Sequence, residues 1–152
     1  MRAAALAGLA VLMACGSDPS DPQLPDCPDC RPETPILSLI CDDGAPDEGL
    51  FAAHFADLEI IDAAGRPGYP DDELGARFSR KLSLALRGDV LAPVDAYVCV
   101  RSLSTHQTVF SQVHYMAPPE AAIPLGEFPR DRYVLLVRSG PKLLRSLRFA
   151  SE

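Results

Sequence analysis

The chain after Pro35 consists of short apolar runs that Gly, Pro and Asp interrupt, a spacing that favours strands over long helices. Ile36–Cys41 is one such run. In Leu82–Leu86 the leucines alternate with other residues, as a half-buried strand requires. The pattern predicts strands at both places.

Two further runs, Val94–Arg101 and Val109–Met116, are predicted to pair as a hairpin with a turn at 102–106. Alternation in the first run places its side chains on two opposite faces of the strand. Val98 and Val100 are predicted to face inward, and Tyr97 and Cys99 the other side.

The last part of the chain repeats this alternation. Ile123 and Leu125 precede a corner, Tyr133, Leu135 and Val137 alternate, and Ser139-Gly140-Pro141 turns the chain into Leu144–Phe149. The resulting prediction is an all-β fold, an antiparallel β-sandwich that extends over residues 36–152.

The region 47–64 carries two conflicting signals. Phe51, Phe55 and Leu58 have helical spacing, whereas Leu58–Asp62 followed by Gly65 has the character of a strand and a turn. Both interpretations remain open on the sequence alone.

The first fifteen residues have the character of a targeting segment. Met1 and Arg2 precede an uncharged apolar run of 12 residues, Ala3–Ala14, and the run ends in Leu12-Met13-Ala14-Cys15. As a helix this run measures only about 18 Å, too short for a hydrocarbon core of about 30 Å. The alternative of an ordinary secretory signal with a chance cysteine stays open.

These residues resemble a bacterial lipoprotein signal peptide with a lipobox. The resemblance implies cleavage after residue 14, with 1–14 as the signal peptide, and a lipid on Cys15 that attaches the protein to a membrane. No Asp follows Cys15 directly, so the resemblance favours the outer membrane. The acidic stretch behind the cysteine also resembles an export signal of surface lipoproteins.

A tether is predicted between this anchor and the domain. Between Gly16 and Pro35 the chain has six prolines, four aspartates and almost no apolar residues, which is too little to offset chain entropy. Residues 15–35 are therefore expected to form a lipidated, disordered linker.

Charge is distributed unevenly along the chain, whose net charge is −7. Residues 16–75 hold 15 acidic and two basic residues, and residues 76–152 hold six acidic and 11 basic residues. The pattern is typical of an acidic, solvated tether in front of strands with outward Arg, or else of a basic face for an anionic partner such as a polysaccharide. Because the basic residues are dispersed and the sequence contains no recognised nucleic-acid motif, nucleic acid is not expected as the partner.

The C-terminal half, about 78–150, resembles a small immunoglobulin-like domain of unknown function found in secreted bacterial lipoproteins, and more distantly the sorting domains of type IX secretion. The resemblance rests on Leu82-Ser83-Leu84, Val98-Cys99-Val100, Val109-Phe110, Ile123-Pro124-Leu125, Tyr133-Val134-Leu135, Leu147 and Phe149. It implies an immunoglobulin-like sandwich in which Tyr133 gives its hydroxyl to backbone, as in a tyrosine corner. Asp131 stands where these domains usually have Gly, and it is expected to tolerate a left-handed conformation there.

Four cysteines remain beside Cys15, namely Cys27, Cys30, Cys41 and Cys99, and an exported protein meets an oxidising compartment. Four thiols allow three pairings, and we favour Cys27 with Cys30 and Cys41 with Cys99. A redox pair at Cys27 and Cys30 would need a flanking strand and helix, and a zinc site would need a second close pair.

No catalytic, cofactor or metal site is predicted. His54, His106 and His114 are scattered, and the acidic groups at 42–43, 47–48 and 71–73 lack the ligand spacing of a calcium loop. Tyr97, Phe110 and Tyr115 are candidates for an exposed aromatic binding patch, although core packing accounts for them equally well.

The expected function is that of a noncatalytic, lipid-anchored binding or structural accessory at the bacterial cell envelope. Its partners would be the membrane, through the lipid, and an envelope protein or polysaccharide. One alternative is a subunit of a surface fibre or adhesin, which requires an open strand edge. Another is an envelope enzyme, which requires a pocket with converging polar groups.

Overall fold

The computed structural model describes residues 41–152, which contain one short helix and nine strands. In chain order these are α1 (Glu48–His54), β1 (Phe55–Asp62), β2 (Tyr69–Asp71), β3 (Gly75–Phe78), β4 (Ser83–Val90), β5 (Val94–Ser102), β6 (Thr108–Met116), β7 (Glu120–Glu127), β8 (Asp131–Ser139) and β9 (Lys142–Ser151). The predicted all-β class is confirmed. Of the predicted strand at 36–41 only Cys41 is described, and it lies outside any strand.

Two sheets pack against each other as an immunoglobulin-like sandwich. The smaller sheet has the order β1-β4-β7, and the larger one has the order β2-β3-β9-β8-β5-β6. Every strand pair is antiparallel except β3 and β9, which run parallel with Ala76 opposite Phe149. The predicted antiparallel sandwich is confirmed, and β3 with β9 is the one parallel pair among the described strands.

The core lies between the sheets and follows from the alternation along the strands. Leu86 on β4, Val98 and Val100 on β5, and Leu135 on β8 are all fully buried in one cluster. Burying a side chain of this size contributes about 1.5–3 kcal/mol relative to leaving it exposed. The alternating apolar positions of the sequence thus form the inner faces of the two sheets, and the β5–β6 and β8–β9 hairpins are confirmed.

Both interpretations of region 47–64 are partly right, because a helix runs directly into a strand. Asp47 is the N-cap of α1, where its Oδ1 accepts a hydrogen bond from the Leu50 amide at 3.0 Å. At Phe55 the backbone becomes extended and β1 begins. The rings of Phe51 and Phe55 stack with centroids 5.8 Å apart, and both are buried.

The strands β2 and β3 were not predicted from the sequence. They are three and four residues long, and most of their positions are exposed. Gly75 has a φ of +79°, and a Cβ there would lie 2.2 Å from the carbonyl oxygen of Arg148 on β9. Only glycine therefore allows β3 to begin so close to β9.

The predicted tyrosine corner is present between β7 and β8. The Tyr133 hydroxyl donates a hydrogen bond to the Pro129 carbonyl at 2.8 Å, and its ring lies 5.1 Å from that of Phe149. Among the non-glycine residues of the described chain only Lys81 and His106 have positive φ, so the left-handed conformation expected at Asp131 is wrong.

Asp131 instead connects β8 to the β5–β6 turn. Its Oδ2 accepts hydrogen bonds from the hydroxyls of Ser102, at 2.5 Å, and Ser104, at 2.6 Å. Partial burial opposes ionisation, but these two hydroxyls hold the pKa of the Asp131 carboxyl below its ordinary value. The Asp131 side chain therefore links the start of β8 to the end of β5 and to the turn after it.

Between residues 41 and 152, no helix has the length and apolar character that crossing a bilayer requires.

Candidate functional site

A disulfide attaches the N-terminal end of the described chain to the outer face of the larger sheet. Cys41 and Cys99 are bonded with their Cα atoms 5.9 Å apart, and Cys99, in the middle of β5, is fully buried. This is the pairing that the sequence favoured. Cys15, Cys27 and Cys30, with their predicted lipidation and pairing, lie outside the described residues.

Residues 41–47, which we call the strap, then cross the outer face from β5 towards β9. The carbonyl of Asp42 accepts a hydrogen bond from the guanidinium of Arg138 on β8. At the far end, the Asp47 amide donates to the Leu143 carbonyl on β9 at 2.8 Å. The strap therefore passes over β5, β8 and β9 in that order, and α1 begins after it.

A second, smaller apolar cluster lies beneath the strap, separate from the main core. Its members are Cys41, Tyr97, Cys99, Val134, Leu136 and Leu143. Tyr97 contributes its ring to this cluster, and its hydroxyl lies 2.9 Å from the Ser111 hydroxyl on β6. The sequence placed Tyr97 and Cys99 correctly on the face opposite to Val98 and Val100.

The carboxylates of the strap and of α1 pair with basic side chains on the sheet. Asp43 contacts Arg101 at 2.6 Å, and Asp42 lies 3.7 Å from the same guanidinium. Lys142 lies 3.5 Å from Asp47, and Arg145 lies 3.5 Å from Glu48. Ion pairs this exposed contribute little each. Together, however, they place acidic side chains from the N-terminal part of the described chain next to basic side chains of the later strands.

Local contacts explain the titration of Asp47. The Leu50 amide that it caps is the main reason why the pKa of its carboxyl is lowered, and Lys142 acts in the same direction. Burial acts against both. The Asp47 carboxylate is therefore a structural cap rather than a free ligand for a cation.

The outer face of β6 is apolar and exposed. Val109, Val113 and Tyr115, which we call the β6 ridge, are 49%, 56% and 66% exposed. Val113 and Tyr115 share the face of Cys99 and Tyr97, because Val113 stands opposite Tyr97 in the β5–β6 register. Val109 lies at a register shift, where it has no partner on β5.

The three aromatic residues considered as a binding patch do not form one. Tyr97 is buried beneath the strap, and Tyr115 is exposed on the β6 ridge. Phe110 lies on the opposite face of β6, where it packs against the main core. Strand alternation separates Phe110 from the other two.

The histidines lie on three separate elements: His54 on α1, His106 in the β5–β6 turn and His114 on β6. His114 Nε2 lies 2.9 Å from Gln112 Oε1, and His54 Nδ1 lies 3.4 Å from the Ala92 carbonyl oxygen. His106 is in the predicted turn, with a φ of +60°. No group of three or more His, Cys, Asp or Glu residues within 41–152 is arranged to hold a metal ion.

Several aspartates organise turns, a role that the sequence analysis did not assign. Asp62 is buried at the end of β1, where it accepts hydrogen bonds from the amides of Ala64 and Arg66, at 2.8 and 2.9 Å. The Arg66 guanidinium pairs with its other oxygen at 2.8 Å. Asp71 accepts in the same way from the amides of residues 73 and 74. The spacing Asp-x-x-Gly after a strand was the signal for Asp62.

An open depression of about 480 Å³ lies beside the tyrosine corner. Its lining includes the charged residues Glu73, Arg130, Asp131, Arg132 and Glu152. The Asp131 carboxylate is already engaged by two hydroxyls, as described above. The remaining charges are two acidic and two basic, so the depression offers no field of one sign for a charged substrate.

Comparison with known proteins adds no family to this picture: no family model matches the chain, and a search of curated proteins gives no match.

Proposed function

We propose that this protein is a noncatalytic, lipid-anchored accessory of the bacterial cell envelope, whose domain binds or supports a partner outside the cytoplasm. The observation that carries the proposal is the disulfide between Cys41 and Cys99. Structural disulfides belong to oxidising compartments, which an exported chain reaches and a cytosolic chain does not. Export is also what the signal-like segment before Cys15 implies.

The arrangement along the chain supports an anchored domain. The lipid would be on Cys15, and residues 15–35 would form the linker. The disulfide from Cys41 to Cys99 then attaches the start of the described chain to the sandwich. In an extended polyproline conformation a linker of this length reaches about 60 Å. The domain would then contact partners well away from the membrane, and an envelope protein or polysaccharide is the partner we propose.

Intact mass and membrane fractionation of the full chain, expressed in a bacterial host, test the anchor. The wild type is compared with Cys15→Ser and with Cys27→Ser, a matched control that removes a thiol from the linker. We expect a mass gain of three acyl chains and membrane association in the wild type and in the control, and neither in Cys15→Ser. A wild-type protein without lipid mass would refute the anchor.

One observation favours a second candidate, the subunit of a surface fibre or adhesin. Within residues 41–152, β6 is hydrogen-bonded to β5 alone, and Thr108–Met116 contains no Asp, Glu, Lys or Arg. Strand edges without such charges are suited to pairing with a strand of another chain. Sedimentation at increasing concentration tests this candidate, which predicts assemblies that grow with concentration and disappear in Val113→Lys.

A further inference from the structure

The strands that end the two sheets differ in how well they are protected against further pairing. Within residues 41–152 these end strands are β1 and β7 in the smaller sheet and β2 and β6 in the larger one. An end strand offers free backbone N–H and C=O groups to any strand that meets it, so natural sheets place charges, proline or very short strands there. An end strand that lacks this protection therefore indicates a place where pairing is used.

Three of these four end strands are protected. β1 carries two carboxylates, Asp57 and Glu59. β7 contains Pro124, which cannot donate a hydrogen bond to a neighbouring strand, and it has a glutamate at each end. β2 is only three residues long and contains Pro70. In contrast, β6 is nine residues long and contains no proline and no Asp, Glu, Lys or Arg.

The neutrality of β6 favours a second copy of this chain as its partner. In a pair related by a two-fold axis, residues near the axis lie beside their own copies, so a charge there would meet the same charge. A strand that pairs with its own copy is therefore most stable when it is neutral. A strand that pairs with a different protein can instead carry charges that the other protein complements. The chain has a net charge of −7, yet none of its acidic or basic residues lies on β6.

The side-chain pattern of β6 determines how two copies would meet. Side chains alternate between the two faces of a strand, so odd-numbered residues must stand opposite odd-numbered residues if both ridges are to share one face. An antiparallel pairing centred on Gln112 satisfies this condition. It places Val113 opposite Ser111 of the second copy, and it brings Tyr115 to the Val109 end of that copy's β6.

We propose that two copies of this chain pair through β6, antiparallel and with Gln112 at the two-fold axis, so that the larger sheet continues from one copy into the other. The free backbone groups of β6 then bond those of the second copy, and exposed apolar surface of Val113 and Tyr115 is removed from water. The pair is closed, because both copies use the same strand, whereas the fibre of the second candidate function grows. The inference does not rest on the lipid anchor.

The size of this contact sets its strength. Nine residues of strand extend over about 30 Å, which makes a contact at the low end of specific protein interfaces. The two copies should therefore separate on dilution, and a test in cells is preferable to one on dilute protein.

Disulfide cross-linking in bacterial cells that express the full chain, with a membrane-permeant oxidant, tests the pairing. The background replaces Cys27 and Cys30 by Ser, and this background alone gives the baseline. Gln112→Cys places a thiol beside its own copy, where opposite Cβ atoms are about 5 Å apart, close to the separation in a disulfide. The matched control is Thr108→Cys, which is exposed on the same strand but lies about 26 Å along the strand from its own copy.

We expect about fivefold or more covalent dimer from Gln112→Cys than from Thr108→Cys, because only the first two thiols are within bonding distance. Adding Val113→Lys to Gln112→Cys should reduce the dimer to the baseline, because the two lysines would be diagonal neighbours about 7–8 Å apart. Co-expression of Val113→Lys and Val113→Asp chains, each with Gln112→Cys, should restore a dimer of the two kinds of chain. Val113 is 56% exposed, so both substitutions are compatible with folding.

Three outcomes would overturn the proposal. Equal yields from Gln112→Cys and Thr108→Cys would indicate random collision or a parallel pairing. No dimer above the baseline at either position would leave β6 to a different protein or to the fibre. A dimer that Val113→Lys does not reduce, or that the opposite charges do not restore, would contradict the two-fold pairing through this strand. The lipid on Cys15 affects none of these comparisons, because every variant retains that cysteine.

Discussion

Removal of the Cys41–Cys99 disulfide is expected to destabilise the domain strongly, because the crosslink closes a long loop. The two cysteines are 58 positions apart. For a loop of this length the chain-entropy relation gives about 4 kcal/mol of stabilisation at 25 °C. This is a large share of the roughly 5–15 kcal/mol by which domains of ordinary size are stable.

Equilibrium unfolding in urea measures the loss. With a slope of about 2 kcal/mol/M, a loss of about 4 kcal/mol lowers the unfolding midpoint by about 2 M. The comparison uses wild type with and without reductant, because reduction opens the crosslink and keeps both sulfur atoms in place. Cys41→Ala/Cys99→Ala should unfold at a still lower midpoint, since Cys99 is fully buried and its removal leaves a small cavity.

The matched control replaces Cys27 and Cys30 by Ser and should keep the wild-type midpoint, because the sequence assigns both to the linker. A reduced wild type whose midpoint moves by less than about 0.5 M would refute the loop-entropy reasoning. So would rapid alkylation of Cys41 or Cys99 in the folded, unreduced protein.

Two further predictions concern single side chains. Tyr133→Phe removes the hydrogen bond to the Pro129 carbonyl and should lower the free energy of unfolding by about 1 kcal/mol, which corresponds to a fall in Tm of about 4 °C. The control Tyr69→Phe should leave Tm unchanged, and equal effects of the two substitutions would contradict the tyrosine corner. The Arg66 amide and guanidinium lower the pKa of Asp62 below 3.8, so the stability that Asp62 contributes is complete above that value and is lost as the pH falls through the lower folded pKa. The difference in urea midpoint between wild type and Asp62→Asn should therefore be largest at about pH 6 and should shrink as the pH falls below 3.8, and a constant difference would disprove this linkage.

The strands with strict alternation could be predicted from the sequence because each places its own apolar residues on the buried face. Leu84 and Leu86, for example, determine the inner face of β4 without reference to any other part of the chain. The same local logic placed Tyr97 and Cys99 on the outer face of β5.

Features that depend on distant residues were not predictable in this way. The strand β3 exists because Gly75 allows it to lie beside β9, and nothing near residue 75 indicates that partner. The ion pair between Asp43 and Arg101 could likewise not be predicted, because the sequence shows only that Asp43 lies in an acidic stretch and Arg101 at the end of a strand. At Asp131, where the similar domains usually have Gly, the sequence suggested a left-handed backbone. The Asp131 carboxylate instead accepts hydrogen bonds from two serine hydroxyls, and the residue does not have a positive φ.

The parallel pair of β3 and β9 also sets an order of assembly. Ala76 cannot find its place opposite Phe149 until nearly the whole domain has been synthesised, and such distant pairings slow folding. The larger sheet therefore stays divided until β9 is made, because β9 lies between β3 and β8 and joins the two parts. A truncation within β9 would consequently separate β2 and β3 from the rest of that sheet.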